Sequence, residues 1–193
     1  MGWTGYTVYS KDDVYGEIEK LFDDRMKDGR DRFDIRAHAV YGSTHYVAAY
    51  DAYDDKVKAW IILTHYSQKN CELLYKDLSE FCGGEYRGVP LKLLDMLSDT
   101  DNEYSLAWRK NARDWHARES WLKSRLQPGA VVKLNYGFDY GSGDEFEFKL
   151  VRGNRKRGFW FSLDNGMYGR PPRRWKENIV AVDGETAPVV QGW

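Results

Sequence analysis

Cysteine occurs only at Cys71 and Cys82 in 193 residues, so no disulfide framework holds this chain together. Neither belongs to a CxxC pair or has a histidine at zinc-ligand spacing, which removes the common structural zinc sites. Long apolar runs are missing too. The longest, Ala59 to Leu63, falls far short of the roughly 20 residues that a membrane-spanning helix needs. The opening Met1-Gly2-Trp3-Thr4-Gly5-Tyr6 has no basic patch followed by an apolar stretch, and Tyr6 stands where a myristoylation signal carries Ser or Thr. These absences predict a soluble cytoplasmic protein with reduced thiols. The recognisable catalytic signatures are also absent: no GxxxxGK[ST], no GxSxG, no HExxH and no paired-carboxylate motif, so no reaction is expected and no catalytic residue is assigned.

What the chain does carry is aromatic side chains and an uneven distribution of charge. Eight Trp, fourteen Tyr and eight Phe favour a folded, contact-making protein, since rings with a polar handle serve cores and interfaces alike. Met1 to Ser105 holds twenty acids and thirteen bases, a net of −7, whereas Leu106 to Trp193 holds ten acids and sixteen bases, a net of +6. The basicity is densest from Arg152 to Lys176, where Arg152, Arg155, Lys156, Arg157, Arg170, Arg173, Arg174 and Lys176 face a single acid, Asp164. Phe159, Trp160, Phe161, Tyr168 and Trp175 are interleaved with them. Guanidinium groups fork onto phosphates and flat rings stack on bases, so this pattern suits nucleic acid; Arg and Trp clusters also make protein interfaces, and a plain solvated face is the third alternative. Arg109 and Arg113, on the basic side of a helix upstream, extend the candidate surface.

The spacing predicts an α+β chain in two parts. Lys11 to Lys27 reads as an amphipathic helix capped by Ser10, with Val14, Ile18, Leu21, Phe22 and Met26 on one face. Phe33 to Tyr41 alternates as a strand, and His45 to Tyr53 with Lys56 to Tyr66 forms a hairpin through a tight turn at Asp54-Asp55. The consecutive apolar residues Ala59 to Leu63 place that strand centrally, covered on both faces. Cys71 to Ser98 reads as irregular, with a short helix at its end. Thr100-Asp101-Asn102-Glu103 has the form of a capping box and opens a helix to about Arg125. Gln127-Pro128-Gly129 marks a boundary. Beyond it, runs at Val131 to Tyr136, Glu145 to Val151, Gly158 to Leu163 and Ile179 to Val182 predict a small SH3-like β-barrel. The expected divisions are therefore an α+β domain with an N-terminal antiparallel sheet and packed helices over 1–126, a basic barrel over 127–183, and a loose tail over 184–193.

Four histidines are the remaining candidates for chemistry. With a turn at Asp54-Asp55, His45 falls opposite Thr64 and His65 opposite Thr44, which brings two imidazoles together on adjoining strands, with His38 nearby. Histidines on a half-buried sheet beside tyrosines more often satisfy local hydrogen bonds than bind metal, so no metal and no cofactor is expected.

A set of segments also resembles a family of proteins of unassigned function carried by bacteriophages, prophages and other mobile elements. These are Met1-Gly2-Trp3-Thr4, Tyr75-Lys76-Asp77-Leu78-Ser79-Glu80 with Gly83 and Pro90, Leu93 to Ser98, Thr100 to Tyr104, and Trp108-Arg109. Cys82-Gly83-Gly84 departs from the Gly-Pro that members often show. The resemblance implies a bacterial host cell as the setting and a stoichiometric, anti-CRISPR-like inhibitor of host defence, which blocks an effector nuclease or its nucleic acid. The alternative is a nucleic-acid-binding accessory protein that uses the basic barrel; an enzyme built on the histidines ranks last.

Overall fold

A computed structural model describes residues 3–8, 12–24, 32–66, 71–78, 85–139, 144–153, 158–163 and 166–190. The chain forms two compact units, Met1–Arg113 with Gln191–Trp193, and Asp114–Val190. Each is built on an antiparallel sheet, so the α+β class holds.

In the first unit, strands β1 (Thr4–Val8), β2 (Phe33–Tyr41), β3 (Thr44–Asp51), β4 (Lys56–Tyr66) and β5 (Cys71–Asp77) make a sheet in the order β1-β5-β4-β3-β2. As its apolar run requires, β4 is the central strand. Trp60 and Ile62 point to one core, and Ala59 and Ile61 to the other. Helix α1 (Val14–Asp24) covers the first face through Ile18, Leu21 and Phe22. There Phe22, Phe33 and Trp60 meet edge to face with centroids 5.4 to 5.8 Å apart. The opposite face takes α2 (Leu91–Leu94) and the start of α3 (Glu103–Arg125) through Leu93, Leu94, Trp108 and Ala112. Ile61 and Ile62 are fully buried, and each contributes about 1.5–3 kcal/mol of apolar burial.

Several local expectations are corrected. The cap of α1 is Asp13, whose Oδ1 accepts the Gly16 amide at 2.9 Å; Ser10 lies outside the described residues. The cap of α3 is Asn102, whose Oδ1 accepts the Ser105 amide at 2.8 Å, while the Thr100 hydroxyl serves the turn before it. Strands β1 and β5 were not expected. In β5 both faces are covered, with Leu73, Tyr75 and Lys76 all buried, so polar alternation is blurred. The turn between β3 and β4 is looser than a two-residue hairpin: Asp51 pairs with Lys56, which leaves four residues in the loop. Buried Asp51 organises it, accepting from Arg32 at 3.1 and 3.2 Å, from Lys58 at 3.0 Å and from the Tyr53 amide at 3.1 Å. Burial alone would raise the Asp51 pKa, and these donors reverse that and hold it below the ordinary carboxylate value.

The second unit holds β6 (Val131–Asp139), β7 (Asp144–Arg152), β8 (Phe159–Ser162), β9 (Tyr168–Gly169), β10 (Ile179–Val182) and β11 (Glu185–Thr186), in the order β11-β10-β6-β7-β8-β9. Among the described residues neither sheet closes on itself. Its core is Val132, Leu134, Phe148, Leu150, Phe161 and Ile179, with Leu122 from α3. Phe148 and Phe161 stack at 4.3 Å. The division between the units falls at Arg113/Asp114, inside α3, rather than at Gln127-Pro128-Gly129. Much of the expected tail is ordered. Glu185 and Thr186 pair with β10, Ala187 is buried, and Arg118 donates to the Pro188 carbonyl at 2.7 Å. No helix among the described residues is long and apolar enough to cross a membrane.

Candidate partner-binding groove

The second unit gathers six of the expected contact residues into neighbouring hollows. The register sets Val151 opposite Trp160 and Arg152 opposite Phe159, and Ser162 opposite Tyr168. In β8 the side chains alternate, so that Phe161 enters the core while Trp160 stays half-buried on the other side. Trp160 then lines two cavities at once. One, of about 280 Å³, is shared with Val151, Arg152 and Tyr168. The other, of about 510 Å³, is shared with Arg170, Pro171, Pro172, Trp175 and Lys176, with Gly158 and Phe159 completing its wall.

The rings are held at fixed angles. Trp175 stands edge-on to Phe161 at 5.4 Å and to Phe159 at 6.5 Å, so the core fixes one side of the indole and leaves the other toward the groove. It begins a short 3-10 turn, Trp175–Asn178, entered through Arg174 with its backbone in the left-handed region at φ 62°. Trp160 lies so close over Gly153 that a Cβ there would be 2.6 Å from its Cδ1 and 2.7 Å from its Nε1. That close approach explains the glycine.

The cations are largely uncommitted. Arg152, Arg173 and Lys176 are exposed and form no ion pair with a described carboxylate, and Arg174 has only a loose pair with Glu177 at 3.8 Å. Arg173 and Arg174 directly precede Trp175 in the chain but do not line the two cavities. Tyr168 is 62% exposed and presents a free ring face. Arg155, Lys156 and Arg157 lie outside the described residues.

Two expected contributors belong elsewhere. Arg109 and Arg113 are in the first unit, where Arg113 pairs with Asp95 at 2.8 Å and Arg109 turns inward to donate to the Ser98 carbonyl at 2.8 Å. Their transfer also reduces the charge contrast. Divided at the structural boundary, the first unit has sixteen bases and twenty acids, a net of −4, and the second thirteen bases and ten acids, a net of +3. Arg118 and Arg125 are likewise spent internally, Arg118 on backbone carbonyls and Arg125 on a forked pair with Glu185 at 2.7 and 2.8 Å. Conversely, a cavity of about 530 Å³ lined by His116, Glu119, Ser120 and Lys123 of α3 shares Phe159 and Lys176 with the groove. The signal for these residues was present as helical spacing, 116, 119, 120 and 123, but it names a helix face and not the loop that meets it.

The histidines form a different pair from the one expected. His45 faces Ile62, and the backbone of His65 pairs with Glu72 on β5, because the four-residue loop shifts the register. Instead His38 Nε2 and His45 Nδ1 lie 3.0 Å apart with the rings stacked at 10°, one ring nitrogen donating to the other. Burial lowers both pKa values, and the proximity of His38 lowers that of His45 further. Among the described residues no group of three or more His, Cys, Asp or Glu side chains could hold a metal ion.

Residues 99–174 match a family model described as a domain of unknown function (DUF6927), a span that runs from the approach to α3 through β9 to Arg174 and takes in most of the groove. No curated protein and no solved structure matches the chain.

Proposed function

We propose that this protein acts by binding, as an accessory protein of a mobile element, and that the groove between Trp160 and Trp175 is its contact surface for single-stranded nucleic acid. The observation that carries the reading is the convergence of two indoles and the Tyr168 ring with exposed Arg152, Arg170 and Lys176, while exposed Arg173 and Arg174 directly precede Trp175 in the chain. Rings with one side fixed in the core are stacking platforms for any base, and cations beside them neutralise phosphates without reading sequence. The scaffold on this reading is an SH3-like partial barrel, in which the return of β10 to β6 brings early and late strands side by side. Interference with host defence, which the mobile-element resemblance implies, is then exerted on the nucleic acid that an effector nuclease handles.

Titration of the full chain with fluorescent oligo-dT and oligo-rU across a salt series tests this. Affinity falls steeply with salt, and the triple substitution Arg152→Gln, Arg173→Gln, Lys176→Gln lowers the log–log slope by about 0.7 for each phosphate no longer neutralised. Trp175→Ala costs about 1–3 kcal/mol of the stacking contribution. Oligonucleotide binding that is absent, or unchanged by these substitutions, overturns the assignment; capture of an acidic protein in its place gives the groove to a protein partner.

A further inference from the structure

The first unit contains a cavity of about 250 Å³ beside Arg109, apart from the groove described above. Arg109 has five N–H donors and uses one of them, from Nη1 to the Ser98 carbonyl. Its Nε is fully buried with no hydrogen-bond partner, and the guanidinium forms no ion pair with a described carboxylate. Its carbon atom sits 5.8 Å from the centroid of the Trp108 ring. The rest of the guanidinium is only half-buried, and its remaining N–H donors on Nη1 and Nη2 are available to an acceptor in the cavity. The guanidinium fork matches a planar carboxylate in two parallel bonds.

The rest of the lining selects among anions. Lys58 is held between Asp51 and Asp54, so the Lys58 and Asp54 charges offset one another within the protein. Lys56 and Arg109 are left against Asp77 and Asp99, a lining that is neutral in sum. With no surplus of positive charge in the lining, nothing offsets the steeper desolvation cost of a doubly charged anion, so a singly charged one is favoured. The oxygen atoms of Thr100 and Asn102 already accept from backbone amides, which leaves the hydroxyl and the amide NH₂ to donate. Val57, Ala59 and Trp108 supply an apolar wall. The volume lies below the roughly 300–1,000 Å³ of sites for drug-sized molecules, which points to a ligand of a few carbons.

We propose that this cavity binds a small organic monocarboxylate, with the carboxylate forked by Arg109 and the carbon body against Val57, Ala59 and Trp108. The experiment uses ¹⁵N-labelled full-length protein and follows the Arg109 Nε–H signal, identified by its loss in Arg109→Lys, together with the Ala59 and Ser105 amides. Butyrate and benzoate are titrated, with inorganic phosphate and chloride as comparisons. Saturable shifts with a monocarboxylate are expected, with phosphate at least about tenfold weaker and binding by Arg109→Lys weakened about tenfold through loss of the fork. The wild-type titration needs no variant to fold. Absence of a saturable shift, an equal response to chloride, or a preference for phosphate overturns the proposal. So does binding that appears only in Asp99→Asn, since the protein's own Asp99 would then occupy the fork.

Discussion

Arg118 ties the last strands of the second unit to α3, and its removal gives a quantity that can be worked out in advance. The guanidinium donates to the Ile179 carbonyl at 2.6 Å and the Pro188 carbonyl at 2.7 Å, with longer contacts to the carbonyls of Lys176 and Glu177 at 3.3 and 3.4 Å. Burial lowers its pKa, yet an arginine remains charged at neutral pH. Hydrogen bonds from a charged donor contribute about 1.5–3 kcal/mol each. Arg118 keeps some solvent exposure, so water replaces part of these bonds on truncation and the lower end of that range applies. Two short bonds then give about 3 kcal/mol for Arg118→Ala. Native-state hydrogen exchange at the core amides of Val132, Phe148 and Ile179 reads the stability of this unit directly. Those amides are expected to exchange roughly 150-fold faster, the equivalent of about 3 kcal/mol. Arg118→Lys, with one ammonium in place of the fork, is expected to lose about half as much. Because Lys176 and its neighbours are among the residues Arg118 holds, Arg118→Ala is also expected to weaken oligonucleotide binding without removing a groove side chain. A change below about 1 kcal/mol at all three amides would refute the reasoning, since it would mean that water serves those carbonyls equally well.

Two further outcomes follow from the geometry. His38 and His45 are both held below their ordinary value near 6.5, so the unfolded chain binds more protons than the native one as pH falls through that region. The stability they contribute is complete above about pH 6.5 and is lost as pH drops toward the lowered native values; urea midpoints of His38→Gln are expected to depend less on pH between 7 and 5, and an unchanged profile would exclude the pair as its source. Gly153→Ala is expected to displace Trp160, because the new Cβ would also lie 2.9 Å from the Gly158 carbonyl, at a cost of about 1–3 kcal/mol. Oligonucleotide affinity and tryptophan emission should both change, with core-amide exchange at Phe148 about 5- to 150-fold faster in line with that cost, and affinity equal to wild type would show that Trp160 is not a platform.

Much of the fold was legible in the amino-acid order because the signals were local. The 3.6-residue spacing of Ile18, Leu21 and Phe22 marks α1, and the unbroken run around Ile61 marks a central strand, since a side chain with no polar neighbour in the chain must be covered on both sides. The two-residue strands at Tyr168–Gly169 and Glu185–Thr186 are too short to alternate, and β5 hides its pattern by being buried on both faces. The position of the basic, aromatic segment was readable as well, because charge and ring density are properties of composition. Which of those cations face outward was not. Arg113 and Arg174 carry the same charge as Arg109 and Arg118, and nothing in the order of residues separates an exposed guanidinium from one drawn onto a backbone carbonyl up to 70 positions away in sequence. The histidine partnership differs from the expected one for a related reason: a loop two residues longer than the tightest hairpin shifts the pairing, and register depends on that count. Residue types and their spacing thus set the elements and the kinds of contact available to this chain, whereas the meeting of distant segments assigned each charge to the interior, to a partner side chain or to the open groove.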